Sequence, residues 1–124
     1  MTNAVPLKIL IVDDHAAPRR TVRQMLEAAH VTCLETNSGE EAVALFAAEH
    51  PDWVIMDVRM PGLGGLGATQ AIRKLDPQAR VIAISQFTDP DCVGAAERAG
   101  VTQFVNKEHL GDLAHIINSP LARP

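Results

Sequence analysis

The chain reads as an α/β domain: a doubly wound sheet of five parallel strands, in the flavodoxin-like order 2-1-3-4-5, with five helices. Three observations predict it. Short, β-branched apolar runs alternate with longer stretches of helical period, a helix after each strand. Most of the runs are apolar through most of their length, as strands covered on both faces are. The remaining one, Val31–Thr36, is mixed in polarity and suits a sheet edge, and right-handed crossovers then leave few topologies.

Strand 1 is Leu7–Val12, which stops at Asp13-Asp14. Helix 1 follows, with Val22, Met25, Leu26 and Ala29 at i, i+3, i+4 and i+7. After strand 2, Ser38-Gly39-Glu40-Glu41 has the S-x-x-E form of a capping box and opens helix 2, whose apolar stripe begins with Ala42, Leu45 and Phe46. Strand 3, Trp53–Met56, stops at Asp57, and helix 3 aligns Ala68, Ala71, Ile72 and Leu75. Strand 4, Val81–Ile84, stops at Ser85. Helix 4 offers only the small groups Cys92, Ala95, Ala96 and Ala99, which predicts shallow packing. Phe104-Val105 marks strand 5 and leads to Lys107, and Leu110, Leu113, Ala114 and Ile117 set the stripe of a short helix 5. Pro120 and Pro124 end that helix and leave a tail over 119–124. With no repeat, low-complexity tract or linker, residues 1–124 are expected to form one domain with its core over 7–118.

Composition narrows the function. At 124 residues the chain is long enough to bury roughly two-thirds of its unfolded surface. Hydrophobic residues are 47% and charged residues 21%, which excludes wholesale disorder. Eleven basic against fifteen acidic residues give a net charge of −4, the wrong sign for a nucleic-acid surface. No apolar run approaches the ~20 residues of a membrane span, and Met1-Thr2-Asn3-Ala4 lacks the features of a signal peptide. Cys33 and Cys92 have no CxxC spacing and read as reduced thiols. A cytoplasmic protein is expected, with Trp53 and Phe46 in the core and Cys92 buried.

The chemistry gathers at one rim. In open parallel sheets ligands bind beyond the carboxyl ends of the strands, where strand order reverses, here between strands 1 and 3. Asp13, Asp14 and Asp57 should converge there, joined by the hydroxyl of Ser85 and the ammonium of Lys107. Taken singly, each has an ordinary reading: Asp14 as a helix cap, Ser85 or Lys107 as a solvated loop residue. Jointly they do not. Two carboxylates about 5 Å apart repel by roughly 3 kcal/mol at an effective dielectric of about 20, so three must protonate, sit in water or take a cation. Hard oxygen ligands with positions left for water suit Mg²⁺. Lys107 and Ser85 could hold two oxygens of a phosphoryl group, leaving one carboxylate as a nucleophile that forms an acyl phosphate.

These residues resemble the response-regulator receiver domains of two-component signalling. The carriers are Ile11-Val12-Asp13-Asp14, Met56-Asp57-Val58-Arg59-Met60-Pro61-Gly62, Ile84-Ser85 and Phe104-Val105-Asn106-Lys107, in order across about residues 7 to 118. The resemblance implies that Asp57 accepts a phosphoryl group from the phosphohistidine of a histidine kinase or phosphotransfer protein. It implies Mg²⁺ held by Asp14, Asp57 and the carbonyl of Arg59, with Asp13 acting through water. It implies that Lys107 and Ser85 meet the phosphoryl group, that Phe104 is the switch aromatic, and that the surface of helix 4, strand 5 and helix 5 responds. The protein would not be a turnover enzyme on an external substrate. A phosphorylation-dependent homodimer on the short helix 5 is open, as is the output target.

Several positions depart from the family pattern. Glu108 stands where many members have proline, so a cis peptide is not expected there. Asp13-Asp14-His15 with Lys107-Glu108 resembles the subfamily that carries a helix-turn-helix output domain, which leaves a stand-alone receiver and a piece of a longer regulator both open. Gln86 should crowd the phosphoryl group, and Arg59 and Phe87, at positions that tune hydrolysis in relatives, include no acid or amide to orient water. A long-lived acyl phosphate is expected. Two other functions compete: a phosphate-independent binding module, disfavoured by the intact set of five polar residues, and a small phosphohydrolase, disfavoured because Arg59 occupies the place of a leaving-group acid.

Gly62-Leu63-Gly64-Gly65-Leu66-Gly67 matches G-x-G-x-x-G. It follows strand 3 instead of strand 1, without a tight strand-to-helix turn, so a flexible loop and a poorly anchored start to helix 3 are expected in place of a dinucleotide site. His15 reads as a polar helix-start residue beside the acidic pair. His30, His50, His109 and His115 share no metal-ligand spacing and read as surface or cap residues.

Overall fold

The computed structural model describes residues 7–27 and 31–118. Within them β1 (Leu7–Val12), β2 (Val31–Thr36), β3 (Trp53–Asp57), β4 (Val81–Ser85) and β5 (Gln103–Asn106) alternate with five helices. These are α1 (Ala16–Glu27), α2 (Gly39–Glu49), α3 (Gly64–Leu75), α4 (Pro90–Ala99) and α5 (Asp112–Ile117), the last preceded by a 3₁₀ turn, Lys107–His109. All strands pair in parallel in the order β2-β1-β3-β4-β5. That is the flavodoxin-like order the sequence predicts.

Alternate residues of the central strands feed two cores, one on each face of the sheet. Ile9, Ile11, Ile55 and Ile84 meet Val22 and Leu26 of α1 and Leu113 and Ile117 of α5. Leu10, Val12, Val54 and Met56 meet Ala42 and Phe46 of α2 and Ala68 and Ile72 of α3. β3 and β4 are buried at every position, whereas β2 buries only Thr36 and β5 only Val105. The mixed polarity of Val31–Thr36 is that of an edge. Trp53 and Phe46 lie in the core as expected.

Caps set the helix boundaries. Ser38 Oγ accepts from the Glu41 amide at 3.1 Å, one half of the capping box. Asp89 caps α4 through the Cys92 amide, Pro90 follows in the first turn, and Gly100 closes the helix at φ 103°. His50 caps α2 at φ 48°. Among the described residues no helix is long and apolar enough to cross a membrane.

Four expectations are corrected. Met25 is 41% and Leu75 56% exposed. α1 meets the sheet along Val22 and Leu26, and Met25 lies about 100° around the helix from Leu26; Leu75 is the last residue of α3, past the sheet. Cys92 is only half-buried, because the first turn of α4 stands clear of the core and only Ala96 and Ala99 reach it. Asp57 and Ser85 are the last residues of β3 and β4, not the ones after them, in register with Ile84 and Asn106. The start of α3, finally, is anchored by packing although Leu63 gives it no side-chain cap. Gly62 turns the chain at φ 74°, α3 begins at Gly64, and Gly65 is buried so close to β3 that a methyl group there would overlap the Asp57 carbonyl. A methyl group on Gly39 would stand 2.8 Å from the Gly64 carbonyl, so α2 and α3 also meet backbone to backbone. Ala29, His30 and the 119–124 tail lie outside the described residues.

These contacts separate two glycines. Gly65→Ala should destabilise the fold by about 2 kcal/mol or more, since the β3 backbone cannot yield. Gly111→Ala, at φ −59° with nothing within 4 Å of the added carbon, should stabilise it by about 0.4–1 kcal/mol. Urea unfolding of both variants checks the sign and order.

Candidate functional site

The carboxyl ends of β1 and β3 sit side by side because Val12 pairs with Met56. The residues that follow Val12 and Met56 are therefore neighbours. Asp13 is 1% exposed and Asp57 3%. Asp13 Oδ1 accepts from the His15 amide at 2.9 Å, an Asx turn that leads the chain into α1. Lys107 Nζ lies 3.2 Å from Asp13 Oδ2 and 3.3 Å from Asp57 Oδ1, bridging the two acids. Its placement depends on a residue that sequence reading left in the background: Asn106 Oδ1 accepts from the Glu108 amide at 2.8 Å and caps the 3₁₀ turn that Lys107 begins. The Asn-x-Glu spacing after a strand was the available signal.

Asp14 completes the acidic group. Its Oδ1 is buried, and among the described residues His15 Nδ1 is the group that stands against it, 3.1 Å away. Donor atoms of Asp13, Asp14, His15 and Asp57 all lie within 4.8 Å of one another. His15 stands immediately before α1 beside the acidic pair, as expected, with its side chain 72% exposed. Three carboxylates with donor oxygens this close together, and one ammonium against only two of them, fit a divalent cation of the Mg²⁺ class. His50 and His109 are exposed and stand outside this group.

The rest of the predicted set surrounds an open cavity of about 400 Å³ above Asp57, lined by Arg59, Ser85, Gln86, Phe87 and Lys107 among others. Ser85 is buried, and its Oγ accepts from the Phe87 amide at 3.0 Å. The Arg59 amide donates to Asp57 Oδ1 at 3.4 Å, while its guanidinium stacks 4.2 Å from the centroid of the Phe87 ring and donates to Cys92 Sγ at 3.7 Å. Gln86 is exposed on the cavity wall. Phe104 is not brought into the cavity: it is half-buried on β5, opposite Ala83.

One ammonium faces three carboxylates, and Asp57 records the imbalance. Burial first, then the charge of Asp13, push its pKa from 3.8 up to about 6 against the opposing pull of Lys107. The native state therefore holds this proton more tightly than the unfolded chain does. The associated stability is complete below about pH 4 and is lost as pH rises through 6. Without divalent cation, Asp57→Asn should raise stability at pH 7.5 by roughly 1–3 kcal/mol, and calorimetry at pH 4 should find the gain gone.

The chain is similar to known proteins. The family model for the response regulator receiver domain matches residues 9–118. Chemotaxis protein CheY of Thermotoga maritima is 35% identical over 101 residues, 81% of this chain and 84% of that relative. Autoinducer 1 sensor kinase/phosphatase LuxN of Vibrio campbellii is 43% identical over 77 residues, which cover 62% of this chain but 9% of the relative's length. A crystal structure of a LuxR-family two-component response regulator from Aurantimonas sp. SI85-9A1 superposes with a TM-score of 0.86 at 30% identity, covering 95% of this chain and 86% of that one.

Proposed function

Because the chain belongs to the response-regulator receiver family, we propose that it is a phosphoacceptor that takes a phosphoryl group onto Asp57 from the phosphohistidine of a histidine kinase or phosphotransfer protein. The observation that carries this reading is the Lys107 ammonium, 3.3 Å from the Asp57 carboxylate and 3.2 Å from Asp13. In the transfer, an Asp57 carboxylate oxygen forms the new O–P bond as the N–P bond breaks and the imidazole leaves with its electron pair. Asp14, Asp57 and the Arg59 carbonyl, with Asp13 through water, would hold Mg²⁺, which would supply positive charge to offset repulsion between the acids and the incoming group. Lys107 shifts from bridging two carboxylates to holding a phosphoryl oxygen, and the Ser85 hydroxyl donates to another once it turns from the Phe87 amide. Phe104 fills the space that Ser85 leaves, which alters the surface of α4, β5 and α5.

In this reading one domain, with its core over 7–118, acts in the cytoplasm as a signalling part and not as a turnover enzyme. Its chemistry is limited to accepting the group and losing it to water. The output and any phosphorylation-dependent dimer lie on the switched surface. Arg59 stacked on Phe87 supports a slow loss to water, because neither side chain can accept a proton from an attacking molecule.

Incubation with acetyl phosphate and Mg²⁺, followed by intact-mass measurement, should show one added phosphoryl group on the parent and none on Asp57→Asn. No adduct on the parent would sink the reading, and steady phosphate release far beyond one equivalent would replace it with a hydrolase. The adduct should persist for hours, and Arg59→Asn, which supplies an amide able to orient water, should speed its decay about tenfold or more.

A further inference from the structure

Asp13 is held by its backbone as well as by its carboxylate, and both backbone holds come from the edge strand. Its amide donates to the Thr36 carbonyl at 3.2 Å, and its own carbonyl accepts from Arg19 Nη1 at 2.7 Å. Arg19 is fixed in turn: its Nε donates to Glu35 Oε1 at 3.2 Å, and Glu35 Oε2 accepts from Arg23 Nη1 at 2.6 Å. Consecutive residues of β2, Glu35 and Thr36, thereby clamp the two peptide units that flank Asp13, one directly and one through Arg19. The unit reached through Arg19 is the Asp13–Asp14 peptide, whose plane decides where the Asp14 carboxylate points. Charge-assisted bonds of this length are the strong kind.

We propose that Arg19, anchored by Glu35, is a positioning residue for the divalent-cation site, locking the Asp13–Asp14 peptide so that the neighbouring carboxylates cannot splay apart. The inference rests on the receiver reading for its cation and adds a determinant outside the ligand set. Repulsion among the acids acts to rotate this peptide, and only a group gripping the backbone from the far side opposes it without competing for the carboxylate oxygens. Partners that orient ligands in this way commonly change metal affinity 10–100-fold when removed.

The sign of the effect distinguishes positioning from charge. By Coulomb's law alone, removing a cation near an acidic site tightens Mg²⁺ binding, whereas loss of the clamp weakens it. Calorimetric titration with MgCl₂ at fixed ionic strength, beside a thermal midpoint for each variant, reads the two apart. Arg19→Ala should bind Mg²⁺ about tenfold more weakly than the parent, near the lower end of that range. Arg19→Lys, which keeps the charge but cannot bridge the carbonyl and Glu35 together, should bind about threefold more weakly. Arg20→Ala, the same charge change at an exposed position outside the clamp, should bind as tightly as the parent or tighter. If Arg19→Ala fails to fold, the charge-neutral Arg19→Lys decides alone. Parent-like or tighter binding by the folded Arg19 variants overturns the clamp and leaves the receiver reading intact. A parent that takes up no Mg²⁺ overturns the cation site and the clamp with it.

Discussion

A single ammonium holds the site together from the far end of the chain. Lys107 is 94 residues from Asp13, yet its Nζ touches both Asp13 and Asp57. Two buried carboxylates side by side are tolerable only when a counter-charge offsets their desolvation and repulsion. The sheet makes that possible by bringing β1, β3, β4 and β5 to end at one level: Val12 against Met56, Asp57 against Ile84, Ser85 against Asn106. A slip of one residue in any of these registers would turn its polar group to the opposite face. The ladder of hydrogen bonds is therefore what converts four scattered sequence positions into one electrostatic unit.

Around that unit the backbone is stiff where the acids sit and less constrained toward β5. Gly65 presses α3 onto the Asp57 carbonyl, and Gly39 presses α2 onto α3, so the peptide carrying Asp57 has no room to move. On the other flank, β5 is an edge with only Val105 buried, Phe104 is half-buried, and α4 reaches the core through two alanines. A change of charge at Asp57 is met by rigid packing on one side and by shallow packing on the other. In the proposed switch, displacement would fall on the side with fewer buried contacts.

Much of this was legible in the sequence for a local reason. Each strand is a short apolar run ended by a polar residue, so Asp13, Asp57, Ser85 and Lys107 could be assigned to one rim before any distance was known. What escaped is non-local. Met25 and Leu75 obey the helical period but lie where their helices no longer face the sheet. The glycines of 62–67 read as looseness because propensity reports only local cost, whereas Gly65 among them lets the α3 backbone meet that of β3. Cys92 shares the period of Ala96 and Ala99, yet sits in a first turn that the core does not reach. The Arg19–Glu35–Arg23 chain of ion pairs follows no spacing rule, since it joins α1 to β2 through the fold. Asn106 was quoted as part of the Phe104–Lys107 signature without its own task, which is to shape the turn under Lys107.

In the phosphoacceptor reading, the excess negative charge is part of the chemistry and not a defect that packing failed to remove. A carboxylate whose pKa stands near 6 is a stronger base, and so a stronger nucleophile, than one near 4. Full neutralisation by a second lysine would lower that basicity and leave no demand for a dication. Removal of Lys107 would withdraw the charge that opposes this rise and push the Asp57 pKa higher still. In that reading the ammonium beside Asp13 and Asp57 tempers the rise without cancelling it, and the negative charge left over favours a divalent cation.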